Sequence, residues 1–262
     1  MKTGKLKKMS LRSSIRLTTS RFIEFYDYKA ENSQNCILYV PGFQGSGHGL
    51  KSQALKEHCQ KQNLRYVCYD PEGLGESKLQ DFSKLQFKHW FENAEAAIQK
   101  CQAKKLILVG SSMGGWISLK MAQDHPDLVQ GLLLLAPAVN FLKPAYQNWY
   151  ENSSQEVKND QDAGKLTLMD PTYGSVPVSQ SFVEKSTEME LSDKIQVNCP
   201  VKIIHGVQDE TIPYQNSLKV LNMIQNDNVE LLFVKSGDHR MQSESHLEII
   251  KSNLDHLISK IF

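Results

Sequence analysis

The sequence predicts an α/β fold, a mostly parallel central sheet with helices on both faces. Three observations carry that prediction. Segments patterned as strands and as helices alternate along most of the 262-residue chain. Several strand segments, among them "CILYV", "LILVG" and "GLLLLAP", are apolar throughout, as strands are when helices cover both sheet faces. The longest near-continuous apolar run, "GLLLLAPAV", stops far short of the roughly 18 residues that a membrane-spanning helix needs. It reads as a buried strand, and no membrane span is expected.

The elements follow in order. "SSIRLTTSRFIEFYDY" reads as two short strands around "TTS". "CILYV" is the next strand, followed by a helical pattern over "LKSQALKEHCQKQ", and "RYVCYD" is a strand again. A helix carrying Leu85, Trp90, Phe91, Ala94, Ala97 and Ile98 near the 3.6-residue period comes next. The strand "LILVG", a helix from about Met113 to Gln123 and the strand "GLLLLAP" follow. The chain then closes with "PVKIIHG", a helix after Pro213, the strand "VELLFVKS" and a C-terminal helix. Residues 142–198 interrupt the rhythm, with Tyr146, Trp149, Tyr150, Tyr173 and Phe182 among many polar residues. A structureless loop of that length does not suit a compact domain. The expectation is one domain over residues 1–262, with 142–198 inserted as a cap over the end of the sheet.

Composition narrows the function classes. Lys plus Arg number 30 against 29 for Asp plus Glu, a net charge of +1, and no basic stripe is interleaved with aromatics. Nucleic acid is therefore not an expected partner. The five cysteines are scattered and odd in number, which fits free thiols in a reducing compartment better than a disulfide framework. No His-Glu-x-x-His, Cys/His cluster or calcium loop occurs, so neither metal nor cofactor is expected. Seven basic residues precede Glu24, the first acidic one, and about residues 1–11 form a basic tail. The composition resembles a transit peptide, with a plain solvated tail as the alternative. Composition leaves the oligomeric state open.

The strongest chemical signal is Gly110-Ser111-Ser112-Met113-Gly114, set between a strand and an amphipathic helix. This is a Gly-x-Ser-x-Gly nucleophile elbow, whose tight turn lifts Ser112 above the sheet edge. A serine hydroxyl needs a base to attack a carbonyl, and the base needs a carboxylate to orient it. Both should come later, in the order Ser, acid, His, each just after a strand. Asp209 in "VKIIHGVQDETIP" and His239 in "LLFVKSGDHRM" meet that requirement. Glu210 and Asp238 are the neighbouring alternatives to Asp209, and His205 is the weaker candidate base because it precedes the acid.

The loop "YVPGFQGSGHGLKS" after an early strand could cradle phosphates or serve an oxyanion. Leu50 separates Gly49 from Lys51, so the Walker spacing fails, and Gly45, Gly47 and Gly49 are spaced by two, so the dinucleotide pattern fails as well. In an elbow hydrolase this loop supplies one of two oxyanion amides. The backbone N–H of Phe43, paired with that of Met113, is the candidate. The turn "YDPEGLGESK", with Gly73 and Gly75, is assigned a structural role.

The ordered set "VPGF", "YDPEGLGES", "VGSSMGGW", "HGVQDETIP" and "GDHRM" resembles the α/β-hydrolase superfamily from about Ser14 onward. Within it, "LVGSSMGGW", "NCPVKIIHGVQDETIP" and "SGDHRM" resemble the branch of mitochondrial abhydrolase-domain palmitoyl-protein thioesterases and acyl-glucuronide esterases, with related bacterial hydrolases. That resemblance implies nucleophile, acid and base at Ser112, Asp209 and His239. It also implies an acylated small molecule or S-acylated protein as substrate, and a mitochondrial location with a cytoplasmic one as the alternative. The residues themselves support a serine hydrolase of ester or thioester bonds. A carboxylesterase, lipase or peptidase of the same fold is the first rival. A non-catalytic binding module is the second, disfavoured because no member of the triad is missing.

Overall fold

The structure, a computed structural model, describes residues 10–29, 34–79, 81–169 and 177–262. The transit-peptide reading of the N-terminus rests largely on residues 1–9, outside the described residues. So does Tyr173 of the aromatic set. The predicted N-terminal hairpin is present, with β1 (Ser10–Arg16) antiparallel to β2 (Phe22–Tyr28). Ser10 and Leu11 are already paired with Tyr28 and Asp27, so the strand starts inside the expected tail.

Six more strands complete the sheet: β3 (Asn35–Val40), β4 (Tyr66–Asp70), β5 (Lys105–Ser111), β6 (Val129–Leu135), β7 (Val201–Gly206) and β8 (Val229–Val234). Their order is β1-β2-β4-β3-β5-β6-β7-β8, antiparallel for the first two pairings and parallel from β4 onward. The apolar central strands are buried on both faces, as their lack of alternation predicted. Edge strand β8 instead alternates half-buried with exposed residues.

Two apolar layers sandwich the sheet. On one face lie α2 (Phe87–Cys101) and α3 (Met113–Asp124), which bring Phe87, Trp90, Phe91 and Trp116 into a single aromatic cluster. On the other lie α1 (Leu50–Lys61) and the C-terminal α8 (Glu244–Ile261), which bury Leu55, Cys59, Ile250, Leu254 and Leu257. α7 (Gln215–Met223) packs against β8. Helix α2 begins at Phe87, so Leu85 precedes it although it reaches the core. The Gln86 amide donates to His89 Nδ1 at 3.3 Å, a capping contact that sets the start there. All five cysteines are free and buried.

Between β6 and β7 the expected break in alternation holds α4 (Leu142–Asn152), α5 (Gln155–Asp162), α6 (Gln180–Ser186) and a 3-10 turn, Thr187–Met189. Apolar residues of this segment, Tyr146, Phe182 and Val183, join the α2/α3 cluster. Its two ends are tied together: Asn140 donates to Leu191 O at 2.8 Å and accepts from Leu191 N at 3.0 Å. The Trp116 indole donates to Met189 O at 3.0 Å, fixing the segment to α3.

Asp70, at the end of β4, organises the loops on the same rim. Its carboxylate accepts from the amides of Gly47 at 2.7 Å and Glu76 at 2.9 Å, and from the Tyr26 hydroxyl at 3.2 Å. Gly75 sits at φ +53, where a Cβ would lie 2.4 Å from the Asp70 carboxyl carbon. The structural role expected for this turn is thus to close over one carboxylate.

Candidate active site

The β5-to-α3 turn is built by close approaches that exclude side chains. A Cβ on Gly110 would stand 2.4 Å from Gly114 O, and one on Gly114 would stand 2.1 Å from Val40 O. Real Cβ atoms do not approach so closely, so both positions require glycine. Between them Ser112 has φ 55 and ψ −120, a sparsely populated conformation costing on the order of 1–3 kcal/mol. The turn is held by the Ser112 amide, which donates to Leu135 O at 2.8 Å, and by the Ser112 carbonyl, which accepts from Gly115 and Ala138.

Three side chains from three strand ends meet here. His239 Nε2 lies 3.1 Å from Ser112 Oγ, and His239 Nδ1 lies 2.6 Å from Asp209 Oδ2. The second distance places the ring proton on Nδ1, facing the carboxylate, and leaves Nε2 as the acceptor toward the serine. Asp209 Oδ1 accepts from the amides of Thr211 at 2.9 Å and Ile212 at 2.8 Å. Burial works against the Asp209 charge, but donors from His205, His239 and Ile212 outweigh it and hold the carboxyl well below the usual carboxylate range. Neither neighbouring acid takes this place. Asp238 is exposed and accepts from the Met241 amide at 2.7 Å, and Glu210 lies exposed along the cleft.

His205 has a position that its rank in the sequence did not reveal. It is fully buried, with Nε2 3.0 Å from both Asp209 Oδ2 and Ile212 O. Two acceptors on one nitrogen put the proton there. Nδ1 then accepts from the Ser217 hydroxyl at 2.6 Å. Asp209 Oδ2 therefore lies between two imidazoles. No sequence pattern signals this, because the contact depends on how the β7 turn folds back.

The loop after β3 presses against the elbow. A Cβ on Gly42 would lie 2.8 Å from Ser111 O and 3.1 Å from Ser112 Cβ, so only glycine permits the approach. Phe43 follows, its ring edge-on to Trp90 and Phe141 at centroid distances of 5.5 and 6.3 Å. Among the described residues, neither the Phe43 nor the Met113 amide donates to a protein acceptor. The Gly47 amide of this loop is committed to Asp70 and so is not part of a nucleotide-type glycine cradle.

An open cleft of about 1330 Å³ runs over Ser112 and His239. Its lining includes apolar side chains from the β3 loop and the segment between β6 and β7, among them Phe43, Phe141, Leu142, Ala145, Trp149 and Met169. It also includes polar ones from α1 and the β7 and β8 loops, among them Lys51, Gln208, Glu210, Asp238, Arg240 and Gln242. Among the described residues no cluster of His, Cys, Asp and Glu could hold a metal ion, and no helix is long and apolar enough to cross a membrane.

This fold and site define a class, and comparison with known proteins gives it a family. Residues 31–246 match the Hydrolase_4 family, described as serine aminopeptidase, S33. The chain belongs to that family and is a serine hydrolase; the expected class, a serine hydrolase of ester or thioester bonds, is borne out. It is 28% identical over 228 residues, 86% of this chain and 75% of the relative, to mitochondrial palmitoyl-protein thioesterase ABHD10 of Mus musculus. It is 21% identical over 224 residues, 81% of this chain and 85% of the relative, to a thermostable monoacylglycerol lipase of Bacillus sp. (strain H-257). The solved structure of mouse alpha/beta hydrolase domain-containing protein 10 superposes with a TM-score of 0.82 at 26% identity, covering 95% of this chain and 99% of that one. The α/β-hydrolase fold expected from the motifs is the fold observed.

Proposed function

We propose that this chain hydrolyses acyl thioesters and esters through an acyl-enzyme on Ser112. The observation that carries the reading is the hydrogen-bonded series Ser112 Oγ, His239, Asp209 on the floor of an open cleft. As His239 Nε2 takes its proton, Ser112 Oγ bonds to the carbonyl carbon and the carbonyl π pair moves onto oxygen. The amides of Phe43 and Met113 receive that oxyanion, each worth about 3 kcal/mol in such sites. Asp209 keeps the Nδ1 tautomer and stabilises the imidazolium. Collapse expels the thiolate or alkoxide, which takes the proton from His239. Water then repeats the sequence from the other side and releases the carboxylic acid.

The finer reading is an S-acylated protein or acylated small molecule as substrate, with residues 142–198 acting as a cap whose aromatic wall holds the acyl chain. The mouse thioesterase relative supports it, and that relative's mitochondrial designation supports the same location for this chain. The Bacillus lipase relative supports an oxoester reading instead. Palmitoyl thioesters, acyl glucuronides, monoacylglycerols and simple aryl esters assayed side by side decide between them. A thioester kcat/KM no better than that for monoacylglycerol overturns the thioesterase reading. Fluorophosphonate labelling tests the nucleophile itself: wild type labels and Ser112→Ala does not. Equal labelling would remove Ser112 from the mechanism.

A further inference from the structure

Lys51, which the nucleotide motifs fail to use, has an unusual setting. The residue is only 8% exposed, yet it lines the cleft. Among the described residues it makes no hydrogen bond and no ion pair. The charges it faces are Asp238, Asp209 and Arg240. Asp209 is already satisfied by two imidazoles and two amides. Asp238 is exposed and caps a backbone amide. Arg240, on the same loop, also has no carboxylate partner among the described residues. Buried Lys51 and exposed Arg240 thus both line the cleft with no ion pair among the described residues, and Lys51 feels the Asp238 and Asp209 carboxylates without contacting either.

The backbone adds a third positive element. Helix α1 starts at Leu50 with Gly49 as its N-cap, which offers no side-chain acceptor, and its first turn holds no acidic residue. Gly49, Leu50 and Lys51 all line the cleft. The N-terminal amides of a helix favour an anion in such a place. Burial pulls the Lys51 ammonium down to about 8, against the opposing pull of Asp238 and Asp209, so it remains mostly cationic near neutral pH.

We propose that Lys51, the first turn of α1 and Arg240 form a subsite for an anionic group, carboxylate or phosphate, on the leaving-group part of the substrate. The assignment to the leaving group follows from proton transfer. The departing atom must lie beside His239 Nε2 to be protonated, so the loop carrying Asp238, His239 and Arg240 flanks it, and Lys51 faces that loop. The apolar lining contributed by Phe43, Phe141 and α4 is left for the acyl chain. The inference rests on the ester- and thioester-hydrolysis reading above.

The test uses octanoyl thioesters of three matched thiols: mercaptopropanol, mercaptopropionate and mercaptoethyl phosphate. In wild type, kcat/KM for the carboxylate or phosphate thioester exceeds that for the neutral one. In Lys51→Met that ratio falls about tenfold or more, as loss of a charge-assisted contact requires, and Arg240→Gln lowers it less. Which anionic thiol is favoured distinguishes carboxylate from phosphate. A ratio that Lys51→Met leaves unmoved overturns the subsite. Calorimetric binding of the same thioesters to Ser112→Ala, with and without Lys51→Met, reads the subsite without turnover. Equal affinity for charged and neutral thioesters overturns it there too. Failure of wild type to turn over any thioester counts against the hydrolysis reading alone.

Discussion

At the scale of single residues, charge placement in this cleft is costly and therefore informative. The folded-state value of about 8 for Lys51 lies below the ordinary lysine value of about 10.4. Between those two values the unfolded chain holds a proton that the folded chain has released. Through that window this group makes stability rise with pH, and below it the buried charge is a standing penalty. Lys51→Met should consequently be more stable than wild type at about pH 7 by roughly 1–3 kcal/mol. The gap should close as pH rises through the window, and urea denaturation at both ends checks it. Asp209 has the opposite sign. Its folded value is depressed, so its stabilisation is present above the unfolded carboxyl value of about 3.9 and is lost as pH falls. Asp209→Asn should lose kcat by roughly ten-thousandfold, as removal of a tautomer-fixing carboxylate does. Its stability deficit should be full at neutral pH and shrink below about pH 4. A deficit independent of pH would show that the carboxylate charge is not what holds the turn.

At the scale of elements, the site depends on backbones packed closer than side chains allow. Gly42 is the sharpest case, because the loop after β3 carries Phe43 and touches the elbow through residue 42. Gly42→Ala should push the loop from Ser112 and move the Phe43 amide off the position proposed for the oxyanion. We expect kcat to fall about 10- to 100-fold with KM little changed, and stability to fall by about 1–3 kcal/mol. Steady-state kinetics with a thermal melt separates the two effects. The same dependence explains what was legible in the sequence. The elbow reads out clearly because its glycines and serine are adjacent in the chain and flanked by a strand and a helix. Asp209 and His239 read out because each follows a strand whose apolar run is unmistakable. His205 did not, since its bond to Asp209 arises only when the β7 turn folds back. Lys51 was visible only as a lysine one place out of a phosphate motif, and its burial is a property of the packed cleft. The helices of residues 142–198 were hidden for a different reason: they are short, 11, 8 and 7 residues, and mostly polar, so few apolar positions mark their period.

At the scale of the whole molecule, the sheet collects its functional loops at the C-terminal ends of parallel strands, where an open α/β sheet leaves a crevice. The segment between β6 and β7 contributes residues to that crevice, its ends joined by the Asn140–Leu191 pair and fixed to α3 by the Trp116 indole. Its contribution to the cleft comes chiefly from one face of α4, where Leu142, Ala145 and Trp149 recur at helical spacing. If that face is the acyl wall, filling it should shorten the chain that fits without touching the chemistry. Ala145 is half-buried and small, so Ala145→Trp adds bulk there while leaving Ser112, His239 and Asp209 in place. Each methylene of acyl chain is worth about 0.8 kcal/mol when buried. Excluding three or four of them should lower kcat/KM for hexadecanoyl thioesters by roughly 50-fold or more. Butanoyl thioesters, too short to reach the added indole, should change by less than about threefold. A parallel series from butanoyl to hexadecanoyl thioesters reads the break point directly. Uniform loss across the series would assign α4 to the stability of the rim, and an unchanged series would place the acyl chain elsewhere in the cleft.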